Sequence, residues 1–164
     1  MLKRLEIQNY AIIESLELDL TKGLSIVTGE TGAGKSILLG ALGLIMGKRA
    51  DTKVLYESDK KCFVEAVFDV SEYGLQSIFE SEELDYDEEV IIRRVISPNG
   101  KSRAFINDEP TTLSVLKAVT NNLVDLHQQF DMLDLHSVSF QTKSRNGLPQ
   151  LPDERIQRCR IDRW

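Results

Sequence analysis

Apolar and polar residues alternate in several short runs of this chain, and the period changes from run to run. Leu16-Glu17-Leu18-Asp19-Leu20 alternates strictly and Leu2 to Ile7 does so in its second half, so both predict strands, with turns near Asn9-Tyr10 and Glu14-Ser15. Thr21-Lys22-Gly23 then turns the chain into Leu24-Ser25-Ile26-Val27, a short apolar run that predicts a buried strand. From Ile37 apolar residues recur through Ile45-Met46 and stop near Gly47, predicting a helix followed by the polar loop Lys48-Arg49-Ala50-Asp51. Lys61 to Val70 predicts a strand, and Ser71 is a candidate N-cap for a short helix with Leu75, Ile78 and Phe79 on one face. Val90 to Ile96 and Ser102 to Ile106 predict a hairpin through Ser97-Pro98-Asn99-Gly100. Leu113, Leu116 and Val119 stand at helical spacing after Pro110-Thr111-Thr112, and Leu123 to Leu126 predicts a last short strand.

Between the third strand and the first helix lies Gly29-Glu30-Thr31-Gly32-Ala33-Gly34-Lys35-Ser36, which fits the phosphate-loop pattern G-x-x-x-x-G-K-[ST] at every fixed position. Gly29, Gly32 and Gly34 allow the backbone a positive φ and a close approach to a polyanion. Successive N–H groups then form an anion nest at the positive end of the following helix. Lys35 supplies a point charge to the β- and γ-phosphates, and the Ser36 hydroxyl suits Mg²⁺, a hard cation that takes oxygen ligands. Strand, loop and helix in this order predict a site for ATP with Mg²⁺.

Composition narrows the setting. With 164 residues, 41% hydrophobic and 28% charged, the chain is one domain of ordinary size or part of a larger one. No run approaches the ~20 apolar residues of a membrane span, Met1 to Glu6 gains an acid too early for a signal peptide, and Cys62 and Cys159 form no disulfide or zinc framework. The cytoplasm is the expected compartment. The net charge of −6 argues against binding DNA through bulk charge alone. Glu80 to Glu89 holds seven acids without EF-hand spacing and reads as a solvated loop. His127 and His136 lack the further ligands of a metal site, Cys62 reads as a small core residue, and Arg103 as a solvated strand residue. Beyond Phe140 neither period is sustained. Residues 142–164 carry six basic against three acidic side chains from Lys143 on and are expected to form an irregular, disordered tail.

Several separated stretches resemble one family. Leu5-Glu6-Ile7-Gln8-Asn9-Tyr10-Ala11-Ile12-Ile13, the GETGAGKS loop, Gly47-Lys48-Arg49-Ala50-Asp51, Gly100-Lys101-Ser102-Arg103-Ala104-Phe105-Ile106-Asn107 and Leu123-Val124-Asp125-Leu126-His127-Gln128-Gln129 are similar, in this order, to RecN, a bacterial DNA-repair ATPase family related to the structural-maintenance-of-chromosomes (SMC) proteins. The resemblance covers residues 1–141. It implies an α/β P-loop NTPase fold, namely the N-terminal lobe of an ATP-binding-cassette- or SMC-type head, with a mixed sheet containing an antiparallel portion. It implies that Gly29 to Ser36 hold ATP and Mg²⁺, that Gln129 reaches the metal and the attacking water, and that Arg49 lies near the nucleotide. Asn9 and Tyr10 fall where such heads approach the adenine. Gln128 and Phe130 depart from the family's glycine and histidine, and residues 142–164 do not resemble its coiled coil.

No LSGGE-type signature and no apolar strand ending in Asp-Glu follows; Leu123-Val124-Asp125 is the nearest candidate for the latter role. The implied function is therefore an ATP-binding head fragment in DNA double-strand-break repair and recombination, expected to bind but not hydrolyse ATP alone. Its implied partners are the remaining half of the head, or a second head as in a homodimer, and DNA through the complete protein. Two alternatives stay open: a non-enzymatic truncated or frame-shifted remnant, and a self-contained small P-loop NTPase or kinase. The second would need a base-reading Asn-Lys-x-Asp motif or an arginine-rich lid, and neither occurs.

Overall fold

Strand β1 (Leu2–Tyr10) is flanked on one side by β2 (Ile13–Asp19) and on the other by β4 (Cys62–Asp69), both antiparallel to it. The computed structural model describes residues 1–28, 34–124 and 157–160. From β4 the sheet continues through β5 (Glu89–Ile96), β6 (Ser102–Ile106) and β7 (Glu109–Thr111), giving the order β2-β1-β4-β5-β6-β7 with every pair antiparallel. The pleat sorts the side chains by face: in β4, Cys62, Val64, Ala66 and Phe68 are all buried while Phe63, Glu65, Val67 and Asp69 are half-exposed. Leu5, Ile7, Val90, Ile92 and Ile106 extend the same face across the sheet. Each large apolar side chain buried there contributes on the order of 1.5–3 kcal/mol.

Helix α1 (Gly34–Ile45) lies on that face against β4 and β5, burying Ala41, Leu44 and Ile45. Helix α3 (Leu113–Thr120) buries Leu116 and Val119 and packs on β6, while α2 (Gln76–Ser81) meets α3 and buries Phe79. Phe79 makes an edge-to-face contact with Tyr86, ring centroids 5.5 Å apart. On the opposite face Arg93 bonds Glu65 at 2.6 Å and Asp108 at 2.7 Å and covers the Phe63 ring at 5.5 Å.

The β1–β2 turn is fastened to the rest of the chain by Asn9. Its backbone has φ +54°, a conformation asparagine tolerates better than most residues. Its amide donates to the carbonyls of Glu57 and Lys60, each at 3.0 Å, and accepts from Glu57 N–H at 2.6 Å. Tyr10 is also buried, its hydroxyl occupying the space that a side chain at Gly40 of α1 would fill.

Several sequence expectations need correction. Ser71 does not cap α2. It bonds the Asp69 carboxylate instead, at 2.7 Å from its hydroxyl, and α2 begins later, after Leu75. Strand β7 was not predicted; its signal is Asn107-Asp108, both at positive φ, a two-residue hairpin turn that returns the chain beside β6. Leu123 and Val124 belong to a turn, both N–H groups donating to the Thr120 carbonyl, and the remainder of the strand expected there lies outside the described residues. The expected antiparallel portion is the six-stranded sheet, and a parallel portion also occurs. β3 (Ser25–Thr28) stands apart from the six antiparallel strands and pairs in parallel with β8 (Gln157–Arg160). Those four residues of the 142–164 stretch are thus a strand rather than irregular chain. No helix among the described residues is long and apolar enough to cross a membrane.

Candidate functional site

The chain enters the site along β3, whose Ser25, Ile26 and Val27 are half-buried, and leaves it along α1, whose first residue is Gly34. Gly29, Glu30, Thr31, Gly32 and Ala33, the middle of the phosphate-loop motif, lie outside the described residues. Gly34, Lys35 and Ser36 form the first turn of α1, where backbone N–H groups have no intrahelical acceptor. Helices commonly place an acidic side chain against this positive end, but α1 has none in its first turn. Lys35 and Ser36 are exposed, and nothing lies within 4 Å of where a Cβ on Gly34 would stand. A helix N-terminus with no acid in its first turn, an exposed ammonium, an exposed hydroxyl and, among the described residues, open space beside a glycine fit a polyanion with a hard cation.

Arg49 is placed elsewhere. It is exposed in the loop after α1 and lines a cavity of about 540 Å³ together with Arg94, Ser102, Arg103 and the residues that lead into α3. Neither Lys35 nor Ser36 belongs to its lining. Gln129 lies outside the described residues. Asn9 and Tyr10 are buried and make their contacts within the protein, fixing the 57–60 loop and the middle of α1. Among the described residues no group of acids, histidines and cysteines is placed to hold a metal ion.

Arg94 escaped the sequence reading. It occupies an inward position of β5, in register with Val90, Ile92 and Ile96, and is 1% exposed. Burial lowers its pKa from the ordinary guanidinium value. A charged residue on the apolar parity of a strand is the signal that would have found it.

Over 130 residues the chain is 45% identical to the DNA repair protein RecN of Vibrio cholerae serotype O1, taking in 79% of this chain and 24% of that protein. Against RecN of Rickettsia typhi the identity is 30% over 161 residues, 96% of this chain and 28% of the relative. The chain thus spans about a quarter of the length of the curated relatives it matches. The fold is shared with a solved SMC ATPase at TM-score 0.65 and 19% identity, covering 84% of this chain and 92% of that one. The recombination mediator RecF aligns at TM-score 0.55 and 18% identity, over 71% of this chain and 29% of RecF. An AAA domain family model matches residues 4–158, and the chain therefore belongs to the AAA domain family, as a RecN-like segment with the fold of an SMC-type head.

Proposed function

We propose that the chain is the nucleotide-holding part of a RecN-like ATPase head. The observation that carries this reading is the start of α1, where Lys35 and Ser36 stand exposed in a first turn that holds no acidic residue. Lys35 would hold the β- and γ-phosphates, Ser36 the Mg²⁺, and Gly29 to Gly34 the remaining phosphate oxygens through backbone N–H groups. The bound triphosphate supplies the anhydride that an ATPase cleaves. Gln129 is proposed to act on the metal and water side; Arg49, which the resemblance also points toward the nucleotide, lines a cavity apart from Lys35 and Ser36 and takes no role on the ATP. Because the sequence holds no signature motif and no Asp-Glu strand end, the chain alone binds ATP without turning it over. A solved SMC ATPase is described in terms of ATP-driven dimerization and DNA-stimulated activation. By analogy, the partners proposed here are a second head or the remaining head half, and DNA through the complete protein, in double-strand-break repair in the cytoplasm.

The test is titration of the purified chain with a fluorescent ATP analogue and Mg²⁺, alongside Lys35→Ala. Saturable binding that weakens by at least about tenfold in Lys35→Ala, a change of about 1.4 kcal/mol, supports the reading. Binding indifferent to Lys35, or steady phosphate release abolished by Lys35→Ala, contradicts the nucleotide site and the lack of turnover respectively.

A further inference from the structure

We infer that the cavity walled by Arg49, Arg94 and Arg103 is a second anion site, separate from the phosphate loop, that takes a phosphate-type oxyanion. The central observation is the guanidinium of Arg94. Its Nη1 donates to the carbonyl oxygens of Leu44 at 3.3 Å and Lys48 at 3.5 Å, its Nη2 to Ser102 Oγ at 2.6 Å, and among the described residues its Nε has no partner. All of these acceptors are uncharged. A guanidinium keeps its proton at neutral pH, and a buried cation is tolerated when an opposite charge and full hydrogen bonding accompany it.

The carbonyls at the end of α1 account for part of the arrangement, since they are the negative end of that helix and attract a cation. They do not account for the other two arginines. Arg49 and Arg103 are exposed, and among the described residues neither makes an ion pair, yet both reach the same cavity as Arg94. Three like charges around one space repel one another, and among the described residues no acidic side chain lines it. The opposite wall includes Thr112 and Leu113. Thr112 is the N-cap of the eight-residue α3 and accepts from Val115 N–H, so the positive end of α3 also borders the cavity.

The chemistry of this lining selects the ligand class. Arginine forks match tetrahedral oxyanions through paired N–H···O bonds, and Ser102 adds a hydroxyl. A single carboxylate would leave most of the positive charge unanswered, whereas a phosphate monoester near neutral pH carries close to two negative charges. At about 540 Å³ the cavity has the size of a small-molecule site, so the phosphate belongs to a larger body or to a string of phosphates. That body is either a free phosphorylated compound or the backbone of a nucleic-acid strand.

The experiment uses the full chain carrying Lys35→Ala, so that binding at the phosphate loop is suppressed, and two probes: inorganic pyrophosphate and a short single-stranded oligonucleotide. Affinity is measured for each, and the Arg94 Nε–H resonance is followed by nitrogen-15 NMR. The expected result is binding of at least one probe that falls by about tenfold or more on Arg103→Glu or Arg49→Glu, with the Arg94 Nε–H signal shifting at saturation. Pyrophosphate binding assigns a free phosphorylated ligand; binding of the oligonucleotide alone assigns a nucleic-acid backbone. Arg94→Met serves as a further variant, and the two surface reversals keep the test sound if it fails to fold. Absence of binding by both probes, binding that survives the reversals, or an Arg94 Nε–H signal that stays unmoved at saturation overturns the proposal and leaves Arg94 as a cap on α1.

Discussion

In β4 every second side chain from Cys62 to Phe68 is closed to solvent, whereas Lys35 and Ser36 at the start of α1 stand in it. The two regions touch, since α1 packs on β4 and β5, but they depend on different physics. The sheet is held by antiparallel ladders between distant parts of the chain and by one continuous apolar face. The β3–α1 segment is a short, half-buried strand followed by a helix whose buried side chains, Ala41, Leu44 and Ile45, all lie in its second half. The first half of that helix is thus free to present polar groups. Stability and the proposed nucleotide binding are therefore separable along the same helix, and substitutions in the two regions should fall into different classes.

The largest effect is expected from Phe68→Ala in β4. It should cost about 3–5 kcal/mol of unfolding free energy, measured by urea titration, while nucleotide affinity per folded molecule stays unchanged. A cost below about 1 kcal/mol would show that the sheet core is not what holds the domain. Asn9→Ala comes next, at about 1–3 kcal/mol, because it leaves the Glu57 and Lys60 carbonyls and the Glu57 N–H without partners. Hydrogen exchange should show the loss concentrated in residues 54–60.

A smaller, pH-dependent effect is expected at Cys62. Burial pushes its thiol up to about 11 from an ordinary 9.0. The folded chain then keeps a proton that the unfolded chain releases, so this contribution to stability is full below pH 9 and is lost as pH rises toward 11. Stability should accordingly fall less steeply with pH over that interval in Cys62→Ala than in the parent chain. Equal slopes would refute the assignment. The smallest change in stability is expected from Lys35→Ala, within about 0.5 kcal/mol of the parent, although the same variant is the one proposed to lose nucleotide. A large drop in melting temperature would mean that Lys35 supports the fold and would dissolve the distinction between the regions.

Legibility in the sequence followed the same division. β4 to β6 could be read because they are runs rich in β-branched and aromatic residues, with the turn signal Ser97-Pro98-Asn99-Gly100 between β5 and β6. α1 could be read from its apolar spacing and the glycine that ends it, and the phosphate-loop motif from its fixed glycines, lysine and serine. Short elements were harder. β7 is three residues long and includes Pro110 at the sheet edge, so it carries no period to detect, and Ser71 satisfied the local rule for a helix cap while a nearer acceptor, Asp69, took its hydrogen bonds.

What the amino-acid order determined by itself is therefore local and periodic: which runs form strands, where the first helix lies, and that a stretch carrying the phosphate-loop motif precedes that helix. Only the tertiary structure decided which distant residues share a space. Arg49, Arg94 and Arg103 are separated by as much as 54 positions, and nothing in their spacing brings them together. They meet because β5 and β6 pair in a fixed register while α1 lies across the same sheet and sets the start of the loop that carries Arg49. Periodicity reports the face on which a side chain falls, and the packing of that face settles its neighbours.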